Sequence, residues 1–163
     1  MCIRDSIKGE VISAKLKKAT GNTLAIDWHT VRQTAEEYRQ NLRIKSPSID
    51  NLISSLSGGN MQKVVLAKWM YTDPKVLILD EPTRGIDVGA KFEIYTLIGK
   101  LAAAGIGVIV ISSELPELLG ITDRIYTIFE GKVTGVFDTK DADQESLMRL
   151  MNPTTSKSGS AAA

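Results

Sequence analysis

Short apolar runs and longer amphipathic stretches take turns along this chain. Val76 to Leu79 is a run of branched apolar residues, which reads as a buried strand of a parallel sheet. Gly107 to Ser112 reads as the next buried strand. Between them, Val88 to Ala103 places Ile94, Leu97, Ile98 and Leu101 on one face of a helix. Asn60 to Met70 reads as another helix, with Val64, Leu66, Ala67 and Met70 as its apolar face and Ser57 as its N-cap. Strands and helices in this order predict an α/β fold with a parallel sheet core. Nearer the start, Ile7 to Lys18 mixes apolar and basic positions and reads as helix or loop, and Thr20-Gly21-Asn22 breaks the pattern. Asp27 is a good N-cap for a polar helix through about Arg43, ended by Ser46-Pro47-Ser48. Further on, Pro116 to Leu119 reads as one helical turn or two. Arg124 to Phe129 and Lys132 to Phe137 read as strands joined at Glu130-Gly131, a hairpin signal. Asp143 to Met151 reads as a last helix, and Asn152 to Ala163 as a low-complexity, disordered tail.

Length and composition narrow the function classes. A chain of 163 residues can bury one core, or one core and a small helical annex. Lys and Arg number 20 against 19 Asp and Glu, so charge gives no push toward nucleic acid or anionic lipid. Cys2 is the only cysteine, so no disulfide can form within the chain, which fits a reducing cytoplasm. The longest apolar stretch, Ile106 to Ile111, is far too short to cross a bilayer, so any membrane link is expected to run through a partner. His29, the only histidine, sits in the polar helix and reads as a surface residue. Trp28 and Trp69 read as packing residues rather than a base-stacking platform.

Two segments carry candidate chemistry. The strand at Val76 ends in Asp80 and Glu81, and Pro82 then forces a turn. Carboxylates at the carboxyl end of a buried strand lie where α/β sheets bind ligands. Asp80 can hold Mg²⁺ directly or through water. Glu81 projects differently and can polarise an attacking water. The other segment is Leu56-Ser57-Gly58-Gly59-Asn60. Two glycines at a helix start let the backbone approach a ligand and leave N–H groups pointing outward, and the helix dipole adds positive character there. The natural ligand is a phosphate. Taken alone, Ser-Gly-Gly reads better as an ordinary turn capping a helix.

Together the two segments resemble the ATP-binding cassette (ABC) ATPase family. Leu56 to Asn60, continuing into Met61-Gln62-Lys63, looks like its signature motif. Val76 to Glu81 looks like its Walker B strand with the catalytic glutamate. Arg84-Gly85-Ile86-Asp87 sits where the family has its D-loop. Asp80 to Lys91 and Ile111 to Glu117 are similar to the second cassette of bacterial monosaccharide importers. Phe92-Glu93-Ile94-Tyr95 and Leu118 to Arg124 are similar to importers of the galactose/methyl-galactoside type. The resemblance implies that two cassettes close head to tail on two ATP molecules. Ser57, Gly58 and Gly59 would then complete the site on the partner cassette, with Asn60 and Asp87 as further nucleotide-binding residues, while Asp80 (for Mg²⁺), Glu81 and Ser113 would serve this cassette's own site. It further implies an N-terminal cassette in the same parent chain, transmembrane permease subunits, an indirect link to a periplasmic sugar-binding protein, and a peripheral place on the cytoplasmic face of the inner membrane. Nucleic acid is not an expected partner.

Departures from the family pattern matter as much. Most of the family has a histidine where this chain has Ser113, and serine can donate a hydrogen bond but cannot carry charge. In the monosaccharide-importer branch the second cassette's P-loop often carries arginine for lysine, so a weakened site on this half agrees with the resemblance. The family's phosphate-gripping loop, G-x-x-x-x-G-K-[ST], is absent from the chain. That loop and a Q-loop lie well before the signature motif, so the chain is expected to be the C-terminal part of a longer, partial P-loop NTPase domain, inactive alone. Residues 7–70 would be the helical subdomain with the signature helix, 71–151 the C-terminal part of the ATPase core, and 152–163 a tail. Met1 to Ser6 can be encoded by a string like the transposon mosaic-end adapter of sequencing libraries, and is set apart from fold reasoning. Two other classes stay open on sequence: a soluble ABC ATPase of DNA repair or translation, and a non-enzymatic fragment.

Overall fold

The computed structural model describes residues 5–15, 17, 20 and 26–152. Gly21 and Asn22 of the expected break, and the tail from Pro153 onward, lie outside the described residues. The chain divides into two compact units, Met1–Ile109 and Val110–Ala163.

The first unit opens with helix α1 (Ile7–Ser13), α2 (Trp28–Asn41) and α3 (Gly58–Met70). Asp27 caps α2 as expected, its carboxylate accepting from the N–H groups of His29 and Thr30. The helix ends at Asn41, after which Arg43 takes a left-handed backbone with φ of 51°. Ile7, Val11 and Ile12 of α1, Val31 of α2, Val64 and Ala67 of α3, and Leu42, Ile44 and Tyr71 form one buried apolar core. Burying nine such side chains is the main term holding the helices together. Ser6 belongs to this layer although the adapter reading sets it apart: it caps α1, accepting from Gly9 N–H, and bridges to Leu52.

Strand β1 (Val76–Asp80) follows, then α4 (Val88–Ala103) and β2 (Gly107–Ile111), which is hydrogen-bonded to β1. A helix joining neighbouring strands is the connection of a parallel pair. The inward residues expected on α4 hold: Ile94, Ile98 and Leu101 are buried, and Leu97 packs against the helical core. β1 departs from the expectation of a strand buried throughout. Leu77 and Leu79 are buried, but Val76 is 57% and Ile78 62% exposed. The side-chain period of two puts alternate residues on opposite faces, and only one face of β1 is covered by the described residues.

The second unit holds α5 (Leu115–Ile121), β3 (Arg124–Phe129), β4 (Lys132–Asp138) and α6 (Gln144–Met151). β3 and β4 pair antiparallel. Glu130 and Gly131 both have positive φ, 46° and 76°, the backbone a tight two-residue hairpin needs. The register slips once after Thr127, leaving Thr134 as the extra residue. Its hydroxyl meets that of Thr127 at 2.9 Å and donates to the Leu150 carbonyl at 2.9 Å, which ties the bulge to α6. Leu115, Ile125 and Leu147 form the core of this unit.

Candidate functional site

Helix α3 begins at Gly58, two residues before the sequence pattern suggests, with Ser57 at the N-cap position. Ser57 makes no capping bond from its side chain. Its Oγ instead accepts from Asn60 Nδ2 at 2.8 Å, and Asn60 Oδ1 accepts from the Lys45 backbone N–H at 2.8 Å. Among the described residues no side chain therefore takes up the first N–H groups of α3. Ser57 and Gly58 are exposed, so the positive end of the helix macrodipole faces outward with donors available. That arrangement suits an anion.

Both glycines also have close packing neighbours. A Cβ on Gly59 would stand 2.5 Å from Ala90 Cβ, in the first turn of α4. A Cβ on Gly58 would stand 3.2 Å from Ile86 Cγ2. Helix α3 thus touches the loop and helix that follow β1, and Gly59 is the residue that lets them approach.

At the carboxyl end of β1, Asp80 is exposed and Glu81 takes a left-handed backbone, φ 46°. A non-glycine residue there costs of order 1 kcal/mol, and such strain collects at functional sites. Pro82 and Thr83 behind it are buried. The loop turns on bonds from Arg84 N–H to Glu81 O and from Ile86 N–H to Thr83 O, with Gly85 at φ 75°. Asp87 caps α4, its carboxylate accepting from Ala90 N–H at 2.9 Å. Within the first unit, then, Ser57 to Asn60 and the Ile86–Ala90 segment are in contact through the glycines, and Asp80 and Glu81 head the same loop. Ser113 lies in the second unit, exposed, between β2 and α5. Its neighbour Ser112 donates to the buried Glu117 carboxylate and accepts from Glu114 N–H, which fixes that turn. Among the described residues no three His, Cys, Asp or Glu side chains gather to hold a metal. Mg²⁺ commonly takes one or two carboxylates and fills its shell with water and substrate phosphates, so exposed Asp80 fits an ion that arrives with a nucleotide.

Sequence reasoning misses one group. Lys63 is only 2% exposed, and its ammonium donates to Glu93 of α4 at 2.5 Å and to the Arg43 carbonyl at 3.0 Å. The Lys63 hydrogen bond, opposed in part by desolvation, holds the Glu93 carboxyl below its ordinary value. The signal was its position: Lys63 lies four residues before Ala67, on the buried face of α3.

Comparison with known proteins fits this geometry. A family model described as ABC transporter matches residues 5–84. The L-arabinose transport ATP-binding protein AraG of Geobacillus stearothermophilus is 48% identical over 159 residues, 98% of this chain and 31% of the relative. The chain belongs to the ABC transporter ATPase family. The xylose import ATP-binding protein XylG of Thermoanaerobacter pseudethanolicus is 63% identical over 114 residues, 70% of this chain and 23% of the relative. A protein of Agrobacterium fabrum, provisionally named ribose/galactose/methyl galactoside import ATP-binding protein 1, is 47% identical over 91% of this chain and 30% of its own length. The chain thus spans about a third or less of the curated relatives it matches. Among solved structures, a nucleotide-free ATP-binding cassette from an ABC transporter superposes with a TM-score of 0.73 at 20% identity, covering 95% of this chain and 62% of that one. The dimeric ATP-binding cassette MJ0796 bound to ADP and Pi gives 0.71 at 21% identity, covering 85% and 59%. At that identity the likeness establishes the fold: a mixed α/β ABC ATPase cassette of the P-loop NTPase class, as the sequence reading expected.

Proposed function

We propose that this chain is the signature-bearing, C-terminal part of the second ATPase cassette of a bacterial monosaccharide importer. Residues 7–70 act as its helical subdomain with the signature helix, and 71–151 as the C-terminal part of its ATPase core. Ser57, Gly58, Gly59 and Asn60, with Asp87, serve ATP bound by the N-terminal cassette of the same parent chain. Asp80 holds Mg²⁺ and Glu81 orients the attacking water at this cassette's own site, to which Ser113 contributes a neutral donor. Closure of the two cassettes on ATP drives transmembrane permease subunits, fed in turn by a periplasmic sugar-binding protein, from the cytoplasmic face of the inner membrane. The relatives' names span arabinose, xylose and ribose/galactose, which supports a monosaccharide as cargo. Among the described residues no helix is long and apolar enough to cross a membrane, so the reading gives that task to the permease.

The observation that carries the proposal is the uncapped start of α3, with Ser57 and Gly58 exposed and set against the loop headed by Asp80 and Glu81. On this reading the chain supplies one half of a phosphate site, and the loop that grips the β- and γ-phosphates is absent from the sequence. The chain by itself will therefore neither hydrolyse ATP nor bind it tightly. Calorimetry of the chain with Mg-ATP tests this. The expected titration is flat at micromolar concentrations, and a low-micromolar dissociation constant would overturn the proposal.

A further inference from the structure

We infer that Asn60 is a positioning residue that acts on the nucleotide through Ser57, holding the serine out of the ordinary helix-cap geometry so that its hydroxyl and the first N–H groups of α3 stay available to phosphate. The inference rests on the reading of Ser57 as a nucleotide contact.

The geometry leaves one arrangement of the Asn60 amide. The Lys45 backbone N–H can only donate, so the Asn60 atom 2.8 Å from it is the carbonyl oxygen. The amide nitrogen must then face Ser57 Oγ, also at 2.8 Å, and donate to it. A serine at an N-cap normally turns its oxygen onto an N–H two or three residues along its own helix. Here Ser57 stands at the N-cap position with extended backbone, yet its side chain makes no such bond. Asn60 engages one of the two Oγ lone pairs and holds the oxygen where it makes no capping bond, and a hydroxyl that is accepting keeps its own proton to give away. An anion needs donors, and this relay preserves two kinds at once, the Ser57 O–H and the uncapped backbone N–H groups. Lys45 anchors the far end of the relay, in the segment after α2 where the Ser46 carbonyl accepts from Arg39 at 2.9 Å.

The test is a double-mutant cycle in the full-length protein, with Mg-ATP turnover as the readout and thermal melting alongside. Ser57→Ala is expected to lower kcat by up to about 10²-fold, the range for loss of one donor to developing charge. Asn60→Leu should lower it comparably, and the double variant should be no worse than Ser57→Ala, because Asn60 has nothing left to act through. Losses that multiply would overturn the relay, since they would mean that Asn60 touches the nucleotide itself or only props up the fold. Asn60→Asp covers the case in which the leucine variant folds poorly. It keeps an acceptor for the Lys45 N–H, so melting should be unchanged, but it cannot donate to Ser57, and turnover should fall. Full turnover in Asn60→Asp would overturn the relay while leaving the Ser57 contact standing. Full turnover in Ser57→Ala would instead overturn the reading of the site, and the relay with it.

Discussion

Replacing Gly59 by alanine tests the packing of α3 on α4 with a single methyl group. The new Cβ would sit 2.5 Å from Ala90 Cβ and 3.8 Å from Ala90 Cα. Carbon atoms in contact prefer about 3.5–4.0 Å, so the two helices must part by roughly 1 Å. Neither atom can swing aside, because each Cβ is fixed to its backbone. Overpacking of this kind costs about 1–3 kcal/mol. Alanine returns part of that, up to about 1 kcal/mol of helix propensity, and less in a first turn. The net expectation is a loss of about 1–2 kcal/mol, or roughly 2–8 °C in melting temperature for a domain of this size. Ala90→Gly opens the same space from the other side, so the pair Gly59→Ala with Ala90→Gly should recover most of the steric loss, with a coupling of about 1–2 kcal/mol. Gly58→Ala is the control: its Cβ meets the end of the Ile86 side chain at 3.2 Å, and a rotamer change relieves it. Urea unfolding followed by circular dichroism reads each midpoint at constant m. A neutral Gly59→Ala, or strict additivity with Ala90→Gly, would refute the claim that this glycine exists for helix contact.

Glu93→Gln should remove an acid-sensitive part of the stability. The Glu93 carboxyl is held below its ordinary value chiefly by the Lys63 hydrogen bond. A depressed folded value means the stabilisation is complete above the unfolded pKa and is lost as pH falls through the folded one, so the native chain should weaken below about pH 4.5. The variant, with Lys63 left buried and without its counter-charge, should start about 1–3 kcal/mol less stable at neutral pH and show a flatter acid limb in urea midpoints taken from pH 7 to 3. An unchanged acid limb would count against the pair. Asp143→Ala removes the capping box of α6, in which Asp143 and Ser146 bond reciprocally. It should cost about 1 kcal/mol by the same assay, and a loss under about 0.3 kcal/mol would mean that the cap adds little to what Leu147 and the Thr134 bond already hold.

What the sequence made legible followed from local chemistry. Asp27 announces its helix as a cap and does cap it; the stretch from Asp143 reads as a helix, and there the structure adds that Asp143 is its cap. Glu130-Gly131 announces a hairpin because its turn needs positive φ at both positions, and both have it. Asp80 ends its strand as read, but the chain leaves the strand already at Glu81, one residue ahead of Pro82. Other features depend on neighbours distant in the chain. Ser57 looks like a cap until Asn60 and Lys45 are seen to hold it otherwise. The packing of Gly58 and Gly59 against Ile86 and Ala90, far along the chain, does not show in the Ser-Gly-Gly string. The exposed side of β1 is invisible to an apolar run, which cannot say which of its two faces is covered. The burial of Lys63 depends on Glu93 and the Arg43 carbonyl, which close on it from elsewhere in the chain.

The central claim is that Ser57 faces nucleotide phosphate while Glu81 serves a weakened site, and the full-length importer can test both at once. Ser57→Asp is the sharper probe, because aspartate is a good N-cap and should leave α3 at least as stable. It nevertheless places a negative charge where the phosphate must sit. Sugar uptake and steady-state ATPase should collapse in Ser57→Asp with melting temperature retained, while Glu81→Gln keeps most of its uptake. Abolished uptake in Glu81→Gln beside near-normal uptake in Ser57→Asp would contradict the account and reverse the assignment of the two sites.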